Sequence, residues 1–292
     1  MQPKNSKIDK VWRIIDLINW GGKYLKEKSI ENSKIEIELF LQHLLKCKRI
    51  DLYLQFETIV KPESLAILRK WITRRINNEP IQYILGSSEF YGRSFIVNKN
   101  VLIPRPETEI LIDISIEELK NVNSPLILDV GTGSGCIAIT IALEIPSSTI
   151  IAIDIDERAI SVAKNNIEKH EVKNIEFVLT DIFHEKINKK ADMLISNPPY
   201  IAKKEVSGLM KEVKDYEPLV ALTDNNDGLK FYRRFAEIIP RILKDNGTAI
   251  MEVGTGDHPD RVEEIFREYG FNDIRTELDL NKDKRALVIK NK

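Results

Sequence analysis

Apolar residues recur with a helical period through the first part of the chain. The run VWRIIDLINWGGKYL carries them on one helix face, and Gly21-Gly22 predicts an interruption there. A second helix is expected in SKIEIELFLQHLLKC, with Ser33 as its cap, and a third is expected after Pro62. These amphipathic segments predict a small helical domain over residues 1–78.

The pattern changes at Glu79. Short β-type runs, FIV and VLI among them, alternate with glycine and asparagine turns. Pro104 and Pro106 then stop the chain from continuing as a strand, and a helix is expected to begin near Glu107. We therefore predict a β-hairpin linker over residues 79–106.

Beyond this segment, apolar strands alternate with helices. The runs PLILDV, TIIAID, IEFVL, ADMLIS, TAIMEV and ALVIK read as strands, and amphipathic helical patterns separate most of them. Strands and helices of this length in alternation predict a doubly wound, mostly parallel sheet. We expect an α/β domain of Rossmann-like architecture over residues 107–292.

Composition narrows the class of protein. Hydrophobic residues make up 42% of the 292 and charged residues 30%, and no apolar run approaches the roughly 18 residues of a membrane span. The first ten residues lack the apolar core of a secretory signal. The two cysteines, Cys47 and Cys136, and the four histidines show no disulfide or metal-ligand spacing. We expect a cytoplasmic protein without a structural metal, and a monomer.

Charge is unevenly distributed although the net charge is −1. Residues 1–95 carry 17 basic and 11 acidic side chains, whereas the remainder carries 27 and 34. The excess of positive charge in the first part has two interpretations, a solvated helical surface or a face that meets RNA or an acidic partner. Charge alone leaves both open.

Polar or glycine-rich residues follow four consecutive strands of the predicted sheet, at the edge where such sheets bind ligands. The first strand is followed by the loop GTGSG, made of Gly131, Thr132, Gly133, Ser134 and Gly135. The second ends in Asp154, 21 residues after Gly133, the usual place of an acid that accepts hydrogen bonds from ribose. The alternative is a tight turn with a helix-capping aspartate. The pair predicts a nucleoside ligand.

The spacing of the loop favours one kind of nucleoside. A dinucleotide site has G-x-G-x-x-G, whereas this loop has G-x-G-x-G followed by Cys136. The mismatch argues against NAD and agrees with S-adenosylmethionine, which carries no phosphate. Asp181 would then accept from the adenine amino group, and Ile182 would lie against the ring.

The fourth strand leaves the sheet through Asn-Pro-Pro-Tyr. Pro198 and Pro199 cannot continue a strand, so they fix an extended exit. The Asn197 side-chain oxygen and the Pro198 carbonyl form two acceptors for a planar NH₂ group, and Tyr200 offers a face for stacking. Such a clamp predicts catalysis of methyl transfer to an amide or aromatic amine, mainly through orientation and charge stabilisation.

The chain resembles a known family, the protein-(glutamine-N5) methyltransferases of the HemK/PrmC type that modify peptide chain release factors. The resemblance covers nearly the whole chain and rests on EPIQYILGSSEFYG, VLIPRPETE, LDVGTGSGCIAI, SNPPYI, EPLVAL and DGLKFYR. NPPY is shared with methyltransferases of nucleic-acid bases, whereas IPRPETE and EPLVAL are specific to the glutamine enzymes.

The resemblance implies an N-terminal helical domain that recognises the release factor and a domain that binds S-adenosylmethionine, with S-adenosylhomocysteine as product. The methyl acceptor would be the glutamine amide of a Gly-Gly-Gln motif. The residues of GTGSG with Asp154, Ile182 and Asn197 would contact the cofactor, and Asn197 to Tyr200 the glutamine. Arg105, Glu107 and Thr108 would border the methionine end. The family often has an aromatic residue where Ile182 stands.

Three other functions are to be weighed. A methyltransferase of adenine N6 or guanine N2 could use the same clamp, but the net negative charge of the catalytic part argues against a nucleic-acid substrate. A binding subunit without activity would be expected to lose the clamp or the glycine loop, and both are intact. A dehydrogenase is disfavoured by the loop spacing.

Overall fold

A computed structural model describes residues 11–184 and 189–291. The expectation drawn from the first ten residues lies outside this range. The chain divides into two compact units, Met1–Leu85 and Gly86–Lys292.

The described part of the first unit is helical. Its helices are α1 (Ile14–Glu27), α2 (Ser33–Leu45), α3 (Arg49–Leu54), α4 (Pro62–Ile76) and α5 (Ile81–Leu85). Their apolar faces form one core around Leu17, Ile37, Phe40 and Leu41. Inside it, Arg75 pairs with Glu36 through hydrogen bonds of 2.7 and 3.0 Å, so the buried charges are compensated.

Gly21-Gly22 does not interrupt α1, contrary to the sequence prediction. The helix continues through both residues. Gly21 is required there for packing, because a Cβ on it would lie 2.6 Å from the Ile37 side chain on α2. The missing side chain therefore lets α1 and α2 approach closely.

The second unit begins with an antiparallel hairpin, β1 (Ser87–Phe90) and β2 (Arg93–Ile96), joined at Tyr91 and Gly92 with φ of 50° and 68°. The hairpin is shorter than the segment 79–106 in which it was predicted, because α5 belongs to the first unit. The predicted strand VLI at 101–103 was wrong, since these residues pair with no described strand.

The remaining strands form one sheet with the order β5-β4-β3-β6-β7-β9-β8. Its strands are β3 (Leu126–Val130), β4 (Thr149–Asp154), β5 (Ile175–Leu179), β6 (Ala191–Ser196), β7 (Leu243–Glu252), β8 (Ile274–Leu278) and β9 (Lys284–Lys290). The first five in spatial order are parallel to one another. β9 is antiparallel to both of its neighbours, β7 and β8, so β8 runs in the same direction as the first five. The prediction of a mostly parallel, Rossmann-like sheet is confirmed.

Helices cover the sheet, with a buried apolar cluster on each face. They are α6 (Ile110–Leu119), α7 (Cys136–Glu144), α8 (Glu157–His170), α9 (Lys211–Tyr216), α10 (Leu219–Leu222), α11 (Lys230–Ile242) and α12 (His258–Glu268). The 3-10 turn Pro106–Glu109 leads into α6. Over 11–184 and 189–291, no helix combines the length and apolarity needed to cross a membrane.

Candidate active site

The order of the strands brings two of the predicted motifs together. The chain runs outward from β3 in both directions, so the carboxyl ends of β3 and β6 flank the switch point of the sheet. Val130 pairs in register with Ser196. The next residues, Gly131 and Asn197, therefore begin the glycine loop and the Asn-Pro-Pro-Tyr segment side by side.

The glycines of the loop have two different roles. Gly131 and Gly133 have φ of 77° and 56°, and a Cβ on either would meet no side chain within 4 Å. They leave an open cradle that a ligand can approach closely. Gly135 has φ of 80°, but its Cβ would lie 3.1 Å from that of Ala163 on α8. Gly135 therefore permits close helix packing, and its contact with the cofactor stays a prediction.

Asp154 at the end of β4 holds the glycine loop. One carboxylate oxygen accepts from the backbone N–H of Gly133 at 2.8 Å, and the other accepts from that of Asp156 at 3.0 Å. Burial raises the pKa of Asp154, against the effect of these two bonds. The carboxylate thus lies at the predicted position, with lone pairs left for a ligand.

Behind the loop, Asp129 is completely buried at the end of β3. Thr132 donates to its carboxylate at 2.6 Å, which fixes the first turn of the loop. Burial raises the pKa of Asp129 to about 7, and the neighbouring Asp154 charge adds to the shift. Sequence reasoning assigned no role to Asp129.

A cavity of about 290 Å³ opens at this edge of the sheet. Most of the predicted site residues line it, and the list is Gly131, Thr132, Gly133, Ser134, Asp154, Asp181, Ile182, Asn197 and Pro199. Gly135, Pro198 and Tyr200 are absent from the lining. Two of the three residues proposed for the methionine end, Arg105 and Thr108, also line it, whereas Glu107 does not.

Aromatic residues flank the end of the cavity where adenine was predicted. Ile182 is buried there, and Asp181 accepts from the backbone N–H of Phe183 at 2.9 Å. Phe183 and Phe231 both line the cavity and pack edge to face with ring centroids 5.0 Å apart. Phe231 was missed by sequence reasoning, although it lies in the DGLKFYR motif.

Tyr200 is held in a narrow space. Its ring centroid lies 5.9 Å from that of His258, and a Cβ on Gly254 would come within 3.3 Å of the Tyr200 ring. A Cβ on Gly228 would be 2.2 Å from the Tyr200 carbonyl oxygen. His258 accepts from the Gly254 N–H at 3.1 Å, and burial lowers its pKa. These contacts fix the backbone and the ring of the last clamp residue.

A hydrogen-bonded chain connects the two ends of the clamp. Asn197 donates from its side-chain nitrogen to the Thr108 hydroxyl at 3.1 Å, and Thr108 donates to a Glu252 carboxylate oxygen at 2.5 Å. The other oxygen of Glu252 accepts from the Tyr200 hydroxyl at 3.3 Å. Glu252 is 1% exposed, and burial raises its pKa to about 7. Sequence reasoning missed Glu252.

A salt bridge holds Arg105, one of the residues that line the cavity. Arg105 pairs with Glu217 of EPLVAL, and Glu217 also accepts from the backbone N–H of Ile103 at 3.3 Å. Burial raises the pKa of Glu217, while the Arg105 guanidinium opposes that shift. The pair therefore fastens two motif segments that lie 112 positions apart.

Family models match both units. The model described as PrmC N-terminal domain matches residues 16–86, and the one described as Methyltransferase small domain matches residues 108–213. The unit that carries the cavity is therefore a methyltransferase domain.

Full-length relatives define the family. The release factor glutamine methyltransferase of Bacillus subtilis is 38% identical over 288 residues, covering 96% of this chain and 99% of the relative. That of Geobacter sulfurreducens is 35% identical over 271 residues, covering 93% and 94%. The chain belongs to the release factor glutamine methyltransferase family.

One solved structure illustrates the fold. The 16S rRNA methyltransferase RsmC of T. thermophilus, in complex with AdoMet and guanosine, superposes with a TM-score of 0.51 at 16% identity. The match covers 70% of this chain and 50% of that one. At this identity the likeness concerns the fold alone.

Proposed function

We propose that the protein transfers a methyl group from S-adenosylmethionine to the side-chain amide nitrogen, N5, of the glutamine in the Gly-Gly-Gln motif of peptide chain release factors. The observation that carries this proposal is the adjacency of the two loops after β3 and β6, one an open glycine cradle and the other an amide clamp. Family membership supports the choice of glutamine over a nucleic-acid base.

The residues of the cavity fit S-adenosylmethionine. The space in front of Gly131 and Gly133 is open where a Cβ would stand, and Asp154 supplies acceptors for ribose hydroxyls. Ile182 and Phe231 offer apolar surface for adenine. When bound, this molecule supplies an electrophilic methyl group on a sulfonium.

The clamp orients the acceptor nitrogen. Since the Asn197 nitrogen donates to Thr108, the Asn197 oxygen is directed elsewhere and remains an acceptor for a substrate NH₂. The Pro198 carbonyl would be the second acceptor. An amide nitrogen is a poor nucleophile, so these two acceptors work by fixing its direction and by stabilising the positive charge that develops on it.

The helical unit is proposed to recognise the release factor. The match of residues 16–86 to the N-terminal family model supports this role. Exposed apolar side chains on that unit, among them Trp20, Ile50 and Leu54, offer a contact surface. Cofactor binding is assigned entirely to the second unit, whose residues line the cavity.

The test is methyl incorporation from labelled S-adenosylmethionine into a purified release factor, followed by peptide mapping. We expect one methyl group on the Gly-Gly-Gln glutamine. A release factor with glutamate at that position is the matched control, because it has no NH₂ to clamp and should accept no methyl group. Incorporation into adenine-containing DNA, with none into the native release factor, would contradict the proposal.

A further inference from the structure

We propose that Thr108 and Glu252 are positioning residues that determine which end of the Asn197 side-chain amide faces the substrate. The inference rests on the proposed function, because it concerns the acceptor that holds the glutamine NH₂. It assigns a role to two buried residues that do not themselves have to touch the substrate.

The three residues come from separate parts of the second unit. Thr108 belongs to the 3-10 turn before α6, Asn197 follows β6, and Glu252 ends β7. Thr108 is 3% exposed and Glu252 is 1% exposed. Their hydrogen bonds measure 3.1 Å from Asn197 to Thr108 and 2.5 Å from Thr108 to Glu252. Thr108 and Glu252 are therefore fixed by the fold and shielded from solvent, whereas Asn197 is half-buried and lines the cavity.

The direction of these hydrogen bonds follows from the charge of Glu252. An ionised carboxylate can only accept, so the Thr108 hydroxyl must give its single proton to Glu252. Thr108 then has only lone pairs to offer Asn197. The Asn197 NH₂ group therefore turns toward Thr108, and its oxygen stays available for the glutamine NH₂.

The same carboxylate also supports the other end of the clamp. The Tyr200 hydroxyl donates to the second Glu252 oxygen at 3.3 Å. Asn197 and Tyr200 are thus tied to one anion, one through Thr108 and the other directly. Loss of that anion would loosen both sides of the segment between them.

Protonation of Glu252 would reverse the direction of the hydrogen bonds that connect Glu252, Thr108 and Asn197. A protonated carboxyl can donate to Thr108, which can then donate to the Asn197 oxygen and turn the amide by half a rotation. Arg285 and Glu107 act on the Glu252 charge with opposite sign, and the Tyr200 hydroxyl donates to it. The Tyr232 hydroxyl from α11 donates to the backbone carbonyl of Glu252 at 2.7 Å, and not to the Glu252 carboxylate.

The pH range of the reversal follows from burial, which raises the pKa of Glu252 to about 7. We therefore expect turnover to fall as the pH decreases through about 7. Asp129 has a pKa raised into the same range. A decline in activity is therefore informative only if it depends on Thr108.

Thr108→Val and Thr108→Ser form a matched pair. Valine keeps the shape of threonine and removes the hydroxyl, whereas serine keeps the hydroxyl. At pH 8 and saturating S-adenosylmethionine, we expect kcat to fall by about 10- to 100-fold in Thr108→Val, the effect that loss of an outer hydrogen-bond partner has on the ligands of metal sites. Thr108→Ser should stay within about threefold of wild type and keep the acid limb near pH 7, which Thr108→Val should lose.

A measurement without substrate separates this inference from the proposed function. The Asn197 side-chain signal in a ¹H–¹⁵N spectrum can be assigned by its absence in Asn197→Asp. We expect it to shift with a midpoint near pH 7 in the wild-type protein and in Thr108→Ser, and to be insensitive in Thr108→Val. An Asn197 signal that ignores pH in wild type, or an acid limb of kcat unchanged in Thr108→Val, would overturn the inference. Failure of wild type to methylate a release factor would instead contradict the proposed function.

Discussion

Replacing Asp154 with alanine is expected to weaken binding of S-adenosylmethionine. The carboxylate keeps one oxygen on the Gly133 N–H and the other on the Asp156 N–H, and its remaining lone pairs are the proposed acceptors for ribose. A hydrogen bond to a charged group contributes about 1.5–3 kcal/mol. Since about 1.4 kcal/mol corresponds to a factor of ten, the dissociation constant should rise roughly 10- to 150-fold.

The variant also removes the acceptor that holds the glycine loop, so a second substitution separates the two effects. Asp154→Asn keeps the size of the side chain and one acceptor oxygen, and it should weaken binding less than alanine does. Glu157→Gln is the control, because it removes a carboxylate three residues away that is exposed at the start of α8. It should leave the affinity within about twofold, as expected for a surface change.

Isothermal titration calorimetry at pH 8 provides the affinities, and thermal melting of each variant reports whether it is folded. An Asp154→Ala protein that binds S-adenosylmethionine within twofold of wild type would remove Asp154 from the site. If Glu157→Gln weakened binding of S-adenosylmethionine equally, the effect would be due to the general loss of negative charge and not to the loss of ribose contacts.

Three further changes test other parts of the structure. Asn197→Ala should lower kcat by about 10²–10³ because one oriented partner is lost, and Asn197→Asp should impair turnover more than calorimetric affinity for S-adenosylmethionine; an unaltered kcat would contradict the clamp. Gly135→Ala should reduce the free energy of unfolding by about 1–3 kcal/mol in urea titration, since φ is 80° and its Cβ would press on Ala163; unchanged stability would refute the packing role. A fragment of residues 86–292 should bind S-adenosylmethionine in calorimetry but methylate the release factor slowly; a normal rate would exclude recognition by the helical unit.

The central parallel strands β3, β4 and β6 could be predicted from sequence because both of their faces are buried. A run such as PLILDV or ADMLIS is apolar almost throughout, and polar residues mark its end. Strand β8 was missed for the opposite reason. Ile274–Leu278 lies at the edge of the sheet, pairs only with β9, and has exposed or half-buried positions throughout. Its sequence therefore carries no continuous apolar run.

The directly lining residues could be predicted because topology brings the carboxyl ends of parallel strands to one edge. That rule identifies positions after a strand, which is how Asp154 and Asn197 were found. It gives no information on partners across the fold: Thr108 and Glu252 are 144 positions apart and meet only through packing. The one available signal was a glutamate at the end of the apolar run TAIMEV, where a charge needs a buried partner.

The role of Gly135 also depends on packing that could not be predicted from sequence. Three glycines in one loop look equivalent in sequence, and all three have positive φ. Whether a Cβ would meet empty space or Ala163 depends on how α8 packs, which the spacing of the loop does not encode.

The buried acids around the cavity have a common consequence. Asp154 lines it, and Asp129, Glu217 and Glu252 each bond to a lining side chain, respectively Thr132, Arg105 and Thr108. Burial raises the pKa of all four.

Between the ordinary pKa of such acids and the raised values, the folded state binds more protons than the unfolded state. Stability of the free protein therefore decreases as pH rises through that interval. A sulfonium ligand is a cation, and its charge would favour the ionised carboxylates that folding alone disfavours. The free-energy cost of ionising buried carboxylates is thus concentrated at the site. A positively charged sulfonium ligand can offset this cost, whereas the neutral thioether formed by methyl transfer cannot.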